Sequence, residues 1–246
     1  SSAVLHRCGF VSLRDARSWA LGDRLGLDWH KMLDIVFADG KSSVSGETLA
    51  GNSEYCVLVP NSLTWHPAFR QTEASGAASV EAFFIRIIQG ISKRFPNIRI
   101  VMLPQLFGAP GLNQGDVDFF RRIADAAGLE GKLTVLPDTL DSDTQRSIVS
   151  GAEFLVGARY HSIVFAASAG VPFLSLTYED KMKGLVENFR LPSVAEYDLR
   201  GGLNSTAVMD LLDGMSLSRY GDSPQLAAAR SLTCKCFDEF KEWMAE

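Results

Sequence analysis

The residues with the clearest chemical promise stand in one short run, Gly157-Ala158-Arg159-Tyr160-His161-Ser162. An apolar stretch, Phe154-Leu155-Val156, delivers an arginine and a histidine two positions apart where a helical pattern begins. The first N–H groups of a helix lack intrahelical acceptors and carry a partial positive charge, so a helix start attracts an anion. Arg159 adds a planar donor fork matched to carboxylate or phosphate. His161 adds the side chain that exchanges protons most readily near neutrality. Together they make an anion site with a proton donor beside it. An isolated R-x-H is more often a surface arginine next to an ordinary histidine. Here the helix that follows ends in small residues, Ala166-Ala167-Ser168-Ala169-Gly170, which let it lie close to a sheet and bring its start to the strand ends.

Other polar groups fall at similar positions. The loop Thr177-Tyr178-Glu179-Asp180-Lys181 follows the apolar run 173–176. Lys181 offers a point charge for phosphate and Tyr178 a hydrogen-bond donor; the plainer reading makes Asp180 a helix cap and leaves Lys181 solvated. A third loop, 103–111, is rich in Gly and Pro and reads as a rim or a plain connection. Trp65-His66-Pro67 follows the run 55–59 and reads as a loop that can face the same crevice. His6 and His30 have no matching context.

The elements that must position these groups alternate short β-rich runs with longer helical stretches, the pattern of a parallel sheet covered by helices. Strands are expected at 55–59, 98–103, 133–136, 154–157 and 173–176, and helices at 79–95, 116–127, 143–150 and 161–169. The first helix shows Val80, Phe83, Phe84, Ile87, Ile88 and Ile91 at helical spacing and stops at Pro96-Asn97. The fold class is therefore α/β, a doubly wound, Rossmann-like parallel sheet over residues 51–216. Residues 1–50 hold a strand-like 10–13, a helix near 16–24, an apolar run 33–37 and a polar linker 41–52, and read as the end of a preceding domain. Residues 217–246 end in an amphipathic helix over 224–243, with Leu226, Ala229, Leu232, Cys236, Phe237, Phe240 and Trp243 on its inward face.

Composition excludes several classes. A 246-residue chain with 46% hydrophobic and 22% charged residues can build a full core and is not a disordered segment. A formal net charge of -5 argues against a nucleic-acid binder, which needs a basic face to neutralise phosphates. Cys8, Cys56, Cys234 and Cys236 form no CxxC pair and no metal spacing, so neither a metal site nor a disulfide framework is expected, and the cytoplasm is the expected location. The longest apolar stretch, 163–176, is interrupted by Ser168, Gly170 and Pro172, so no membrane span is expected; no continuous apolar run follows Arg7, so no signal peptide is expected. The sequon Asn204-Ser205-Thr206 carries no weight.

These motifs resemble the polysaccharide pyruvyl transferase family. The match lies in the R-x-H of Arg159 and His161, the A-x-x-G-x-P ending in Ala169-Gly170-Val171-Pro172, and the Y-x-x-K of Tyr178 to Lys181. The loop 103–108 with Asp116 following, and the S-x-R-D segment Ser12-Leu13-Arg14-Asp15 with Ser18 and the stretch 34–39, add to it. The resemblance covers about residues 10–192 and is most specific over 153–192. It implies one half of a GT-B-type fold, with phosphoenolpyruvate as donor substrate, a saccharide acceptor and no cofactor or metal. It places Arg159 and His161 in the catalytic centre, His161 as general acid. Arg14, Tyr178, Lys181 and Ser162 would bind substrate. The product would be a pyruvate ketal on an exopolysaccharide or cell-surface glycan, and a lipid-linked acceptor would bring the protein to a membrane periphery. Only about ten residues precede the S-x-R-D segment, so the chain reads as a C-terminal, donor-binding part. The rival readings are a nucleotide-sugar glycosyltransferase of GT-B type and a non-catalytic anion-binding remnant. No arginine stands at the strand end Pro60-Asn61, where one facing the donor would be welcome.

Overall fold

The computed structural model describes residues 2–38, 53–63, 66, 69, 73–106 and 115–245. The linker 41–52, Trp65, Pro67 and the Gly/Pro-rich stretch 107–111 lie outside the described residues.

The chain opens with a helical turn α1 (Ser2–Leu5), then β1 (Ser12–Leu13), α2 (Ala16–Arg24), β2 (His30–Lys31) and a 3-10 turn at Ile35–Phe37. β1 and β2 pair in parallel with α2 as their crossover. Asp15 starts α2 by accepting from both the N–H and the hydroxyl of Ser18, each at 2.8 Å. The aspartate of the S-x-R-D segment is thus a helix cap.

The main layer follows as β3 (Tyr55–Val59), α3 (Glu73–Arg94), β4 (Arg99–Met102), α4 (Asp116–Ala127), β5 (Leu133–Val135), α5 (Ser142–Ser150), β6 (Leu155–Gly157), α6 (Tyr160–Ala169), β7 (Phe173–Thr177), α7 (Asp180–Asn188), β8 (Val194–Asp198), α8 (Ser205–Gly214) and α9 (Pro224–Ala245). Its six strands are all parallel, in the order β5-β4-β3-β6-β7-β8. Helices α3, α4 and α8 pack together on one face, and α5, α6 and α7 on the other. The sheet is doubly wound, as expected. Because both faces are covered, the central strands β3, β6 and β7 are buried along their whole length, which is why they read as largely apolar runs; the buried Ser175 and Thr177 of β7 hydrogen-bond each other at 2.9 Å.

Two elements of the main layer go beyond the expected set, β8 and α8, and α7 realises the helix start read at Asp180. β8 is an edge strand in which every residue is only part-buried, so Val-Ala-Glu-Tyr-Asp carries little apolar signal. α8 is capped by Asn204, whose side chain accepts from the Ala207 N–H at 3.1 Å. The asparagine of the sequon therefore ends in a helix cap.

The N-terminal segment joins the same body. Phe37 is buried and stacks on Phe189 at the end of α7, with ring centroids 5.6 Å apart. α9 closes over it. Leu226, Ala229, Thr233 and Cys236 are its buried positions, and Phe240 and Trp243, expected inward, stay 38% and 40% exposed. They lean instead on Phe10 at the molecular edge, Phe240 at 5.3 Å and Trp243 at 6.1 Å between ring centroids.

Candidate active site

In a sheet of this order the chain reverses direction between β3 and β6, and the crevice for ligands opens outside the carboxyl ends of those strands. The segments that emerge there are Pro60 to Leu63 after β3, Leu103 to Leu106 after β4, Ala158-Arg159 after β6 and Tyr178-Glu179 after β7.

β6 passes into α6 with almost no connection. Gly157 is required at the join: a Cβ there would lie 2.5 Å from the Ser162 Oγ and 2.9 Å from Leu155 Cδ2. Arg159 is the N-cap in extended conformation, and its side chain makes no capping bond to the helix. Glu179, at the start of the neighbouring α7, makes none either. By contrast α2, α5 and α8 are capped by Asp15, Asp141 and Asn204. Two adjacent helix starts without side-chain caps thus face the strand ends, and the electrostatics favour an anion there.

The two residues of the R-x-H motif diverge. Arg159 turns toward the β4 side, where its Nη2 donates to Asp116 Oδ1 in a salt bridge. The pair is secluded, at 15% and 4% side-chain exposure. The other oxygen of Asp116 accepts from the N–H groups of Gln105 at 3.0 Å and Leu106 at 2.8 Å. Asn61 is fully buried between these groups. It donates to the Ala158 carbonyl at 3.3 Å and the Tyr178 hydroxyl at 3.2 Å, and accepts from the Leu63 N–H at 3.0 Å. It ties the ends of β3, β6 and β7 together. Tyr178 faces the Arg159 side, with His66 edge-on at 5.7 Å, and burial pushes its phenol up to about 12.

His161 turns the other way, toward the N-terminal segment. Desolvation by the atoms packed around it lowers its pKa, the nearby Arg14 and Lys181 add to that, and Asp34 opposes it. Arg14 donates to Asp34 at 3.3 Å and lies over the Tyr160 ring at 4.8 Å; the Lys181 ammonium lies 5.5 Å from the same ring and 2.7 Å from the Glu179 carboxylate. Tyr160 is thus a platform for two cations. Asp180 starts α7 but, contrary to the simple expectation, does not cap it. It pairs with Arg17 of α2 and with Arg200 at 3.0 Å.

Of the residues expected from sequence, the substrate-binding Arg14 and Lys181 therefore gather with the catalytic His161 on one side of the α6 start, and the catalytic Arg159 with the substrate-binding Tyr178 on the other. Ser162 points away from both: it is fully buried and donates to the Arg159 carbonyl at 2.6 Å. Asn61, Asp34 and Gln105 are site groups that sequence reasoning passed over. The signal available was a polar amide directly after a proline just beyond a strand end, Pro60-Asn61 and Pro104-Gln105 alike.

The model of the family described as polysaccharide pyruvyl transferase matches residues 2–180. The chain belongs to that family. The match takes in the N-terminal segment together with five of the six strands of the main sheet, the two parts that contribute Arg14 and Arg159. Among curated proteins none matches this chain. Among solved structures it resembles the Methanocaldococcus jannaschii UDP-GlcNAc 2-epimerase in complex with UDP-GlcNAc and UDP. The identity is 8%, over 95% of this chain and 61% of that one, with a TM-score of 0.57. It also resembles the Anabaena protein HepE in complex with UDP and glucose. There the identity is 15%, over 100% of this chain and 65% of that one, with a TM-score of 0.52. At such identities these likenesses show the fold alone, that of the Rossmann-like domains of GT-B glycosyltransferases and their relatives. This chain spans about three fifths of those two proteins. No helix among the described residues is long and apolar enough to cross a membrane.

Proposed function

We propose that this chain binds phosphoenolpyruvate and transfers its pyruvyl unit to a saccharide, closing a ketal across two hydroxyls. The observation that carries the reading is the grouping of His161 with Arg14 and Lys181 around Tyr160, at a helix start with no side-chain cap. Arg14, Lys181 and the N–H groups of α6 and α7 take the phosphate. Arg159, with its planar fork, takes the carboxylate. The free histidine is held toward its neutral form, and the donor's negative charge draws a proton onto it. His161 then protonates the methylene carbon of the enol phosphate. A sugar hydroxyl adds to the resulting cationic carbon and gives up its proton. The C–O bond to phosphate breaks, and a second hydroxyl adds in its place. Of the two hydroxyl protons, one balances the new methyl group and the other leaves on hydrogen phosphate. Fixed cations beside the developing charge supply most of the rate. Because phosphoenolpyruvate is made inside the cell, the reading carries a cytoplasmic location, and a lipid-linked acceptor would bring the protein to the membrane surface.

Titration calorimetry with phosphoenolpyruvate, UDP-sugars and GDP-sugars tests this. Phosphoenolpyruvate should bind, and Arg14→Ala or Arg159→Ala should weaken it about ten-fold or more, as expected for loss of a charged hydrogen-bonding group. The fold is shared with proteins that hold UDP, so selective binding of a nucleotide sugar would replace the reading with a glycosyltransferase. Phosphoenolpyruvate binding without turnover on any saccharide would leave an anion-binding remnant, and silence from every ligand would overturn the reading.

A further inference from the structure

We propose that Asp116 is a positioning residue for Arg159, holding the guanidinium by one end in an orientation that the arginine's own hydrogen bonding does not choose. The proposal rests on the reading of Arg159 as a donor-binding group. Asp116 is an anchor fixed from several directions. It opens α4, is almost completely buried, and accepts from two successive N–H groups of the β4 loop through Oδ2. Its own N–H donates back to the Leu106 carbonyl at 3.1 Å, so the loop and the carboxylate brace each other. Oδ1 is left for Arg159 alone among the described residues.

The arginine does not pair with this carboxylate through two parallel bonds. It gives Nη2, while its Nε is sealed from solvent and has no partner among the described residues. A buried donor left unpaired is costly, and a long side chain has other rotamers that would expose or satisfy it. The Gln105 Oε1, on the residue whose N–H holds Asp116, is likewise buried without a partner among the described residues. Two unsatisfied polar atoms flank one salt bridge. The bridge therefore outweighs them, and the remaining guanidinium donors are aimed by Asp116. The link runs from the end of β4 to the end of β6, across the end of β3 that lies between them. It fixes the distance between the two sides of the crevice where the donor carboxylate is placed.

The test compares the full chain with Asp116→Asn, which keeps the side-chain shape and an oxygen for the two N–H groups but removes the charge. Asp116→Glu serves as partial rescue. Two readouts are taken: the Nε–H resonance of Arg159, assigned by its disappearance in Arg159→Lys, and steady-state kinetics with phosphoenolpyruvate. We expect the Arg159 Nε–H to exchange with water at least ten-fold faster in Asp116→Asn. We also expect kcat to fall about ten-fold or more while KM for phosphoenolpyruvate changes less than about three-fold, the pattern of a misaimed group that still binds. Asp116→Glu should recover part of kcat. Unchanged exchange in Asp116→Asn overturns the proposal, as does a loss of kcat that only tracks a fall in Tm and is not rescued by Glu. If wild type binds no phosphoenolpyruvate, the pyruvyl reading fails, and the exchange comparison still decides whether Asp116 positions Arg159.

Discussion

His161 stands between opposing influences, and the sign of their sum fixes how it behaves with pH. Crowding by neighbouring atoms and the charges of Arg14 and Lys181 lower its pKa below the ordinary 6.5, and Asp34 only partly offsets them. The folded chain thus takes up this proton less readily than the unfolded one. Its contribution to stability is neutral above pH 6.5 and becomes a penalty as pH falls through 6.5 toward the folded pKa. The same displacement sets the kinetics. In kcat/KM, which reports the free protein, the limb belonging to His161 should have its midpoint below 6.5; in kcat it should move up, because the bound donor's negative charge favours imidazolium. An acid must be protonated, so both rates should fall as pH rises through these limbs. A pH–rate series for wild type and His161→Asn checks this. The variant should lose roughly 100-fold or more in kcat and show no such limb. A limb that persists in His161→Asn would assign the proton to another group. At this scale the sequence was only partly informative. Arg159 and His161 are recognisable as a motif, but side chains two positions apart at a helix start point to different sides. Only the fold shows that Arg159 meets Asp116 and His161 meets the N-terminal segment. Asn61 could not be read at all as the hub of three strand ends, since its partners are 97 and 117 residues away.

The junction of β6 and α6 is the element on which the site depends, and it is packed to the limit. A methyl group at Gly157 would press on the Ser162 Oγ at 2.5 Å, and that hydroxyl is itself bonded to the Arg159 carbonyl. Neither atom can yield without moving the helix start that carries Arg159 and His161. Gly157→Ala should therefore cost roughly 1–3 kcal/mol, the usual range for overpacking a tight core. Ser162→Ala should relieve part of the clash, so the double variant should be more stable than the sum of the two single losses predicts. Urea denaturation of the four proteins checks it, and strict additivity would mean that the strain goes into Leu155 rather than the helix. Gly170 closes the other end of α6 with a left-handed φ of +66°, and a Cβ there would lie 2.5 Å from the Gly221 N. Gly170 is legible in the sequence as punctuation, while Gly157 reads only as a strand end; the strands β3, β6 and β7 are legible because burial on both faces forces largely apolar runs. The edge strand β8 was not legible, because an edge strand needs only partial cover, and α7 was legible only as a helix start at Asp180.

On the scale of the whole molecule, the site depends on a segment that precedes the sheet and on a helix that follows it. Asp34 lies in a segment, 30–37, that packs against α9, and Arg14 is paired with it at 3.3 Å. The Thr233 hydroxyl meets the Leu33 N–H at 3.4 Å, and His30 pairs with Glu239 at 2.7 Å. Those polar links are weak or part-exposed, and an exposed ion pair is worth at most about 1 kcal/mol. The apolar seat of α9 must do more. Leu226 is fully buried at its start, one turn before Ala229 and two before Thr233. Leu226→Ala should cost roughly 2–5 kcal/mol, as for other buried leucines. The loss should also be unevenly distributed. If α9 is the clamp on the N-terminal segment, amide hydrogen exchange in 30–37 should accelerate together with that in α9, while β3, β6 and β7 keep their protection. Binding of phosphoenolpyruvate should weaken in step, since Arg14 would then be held less often beside Lys181. Exchange that rises evenly through the sheet would show instead that the chain opens as one unit, with α9 a part of the core and not a clamp on the site.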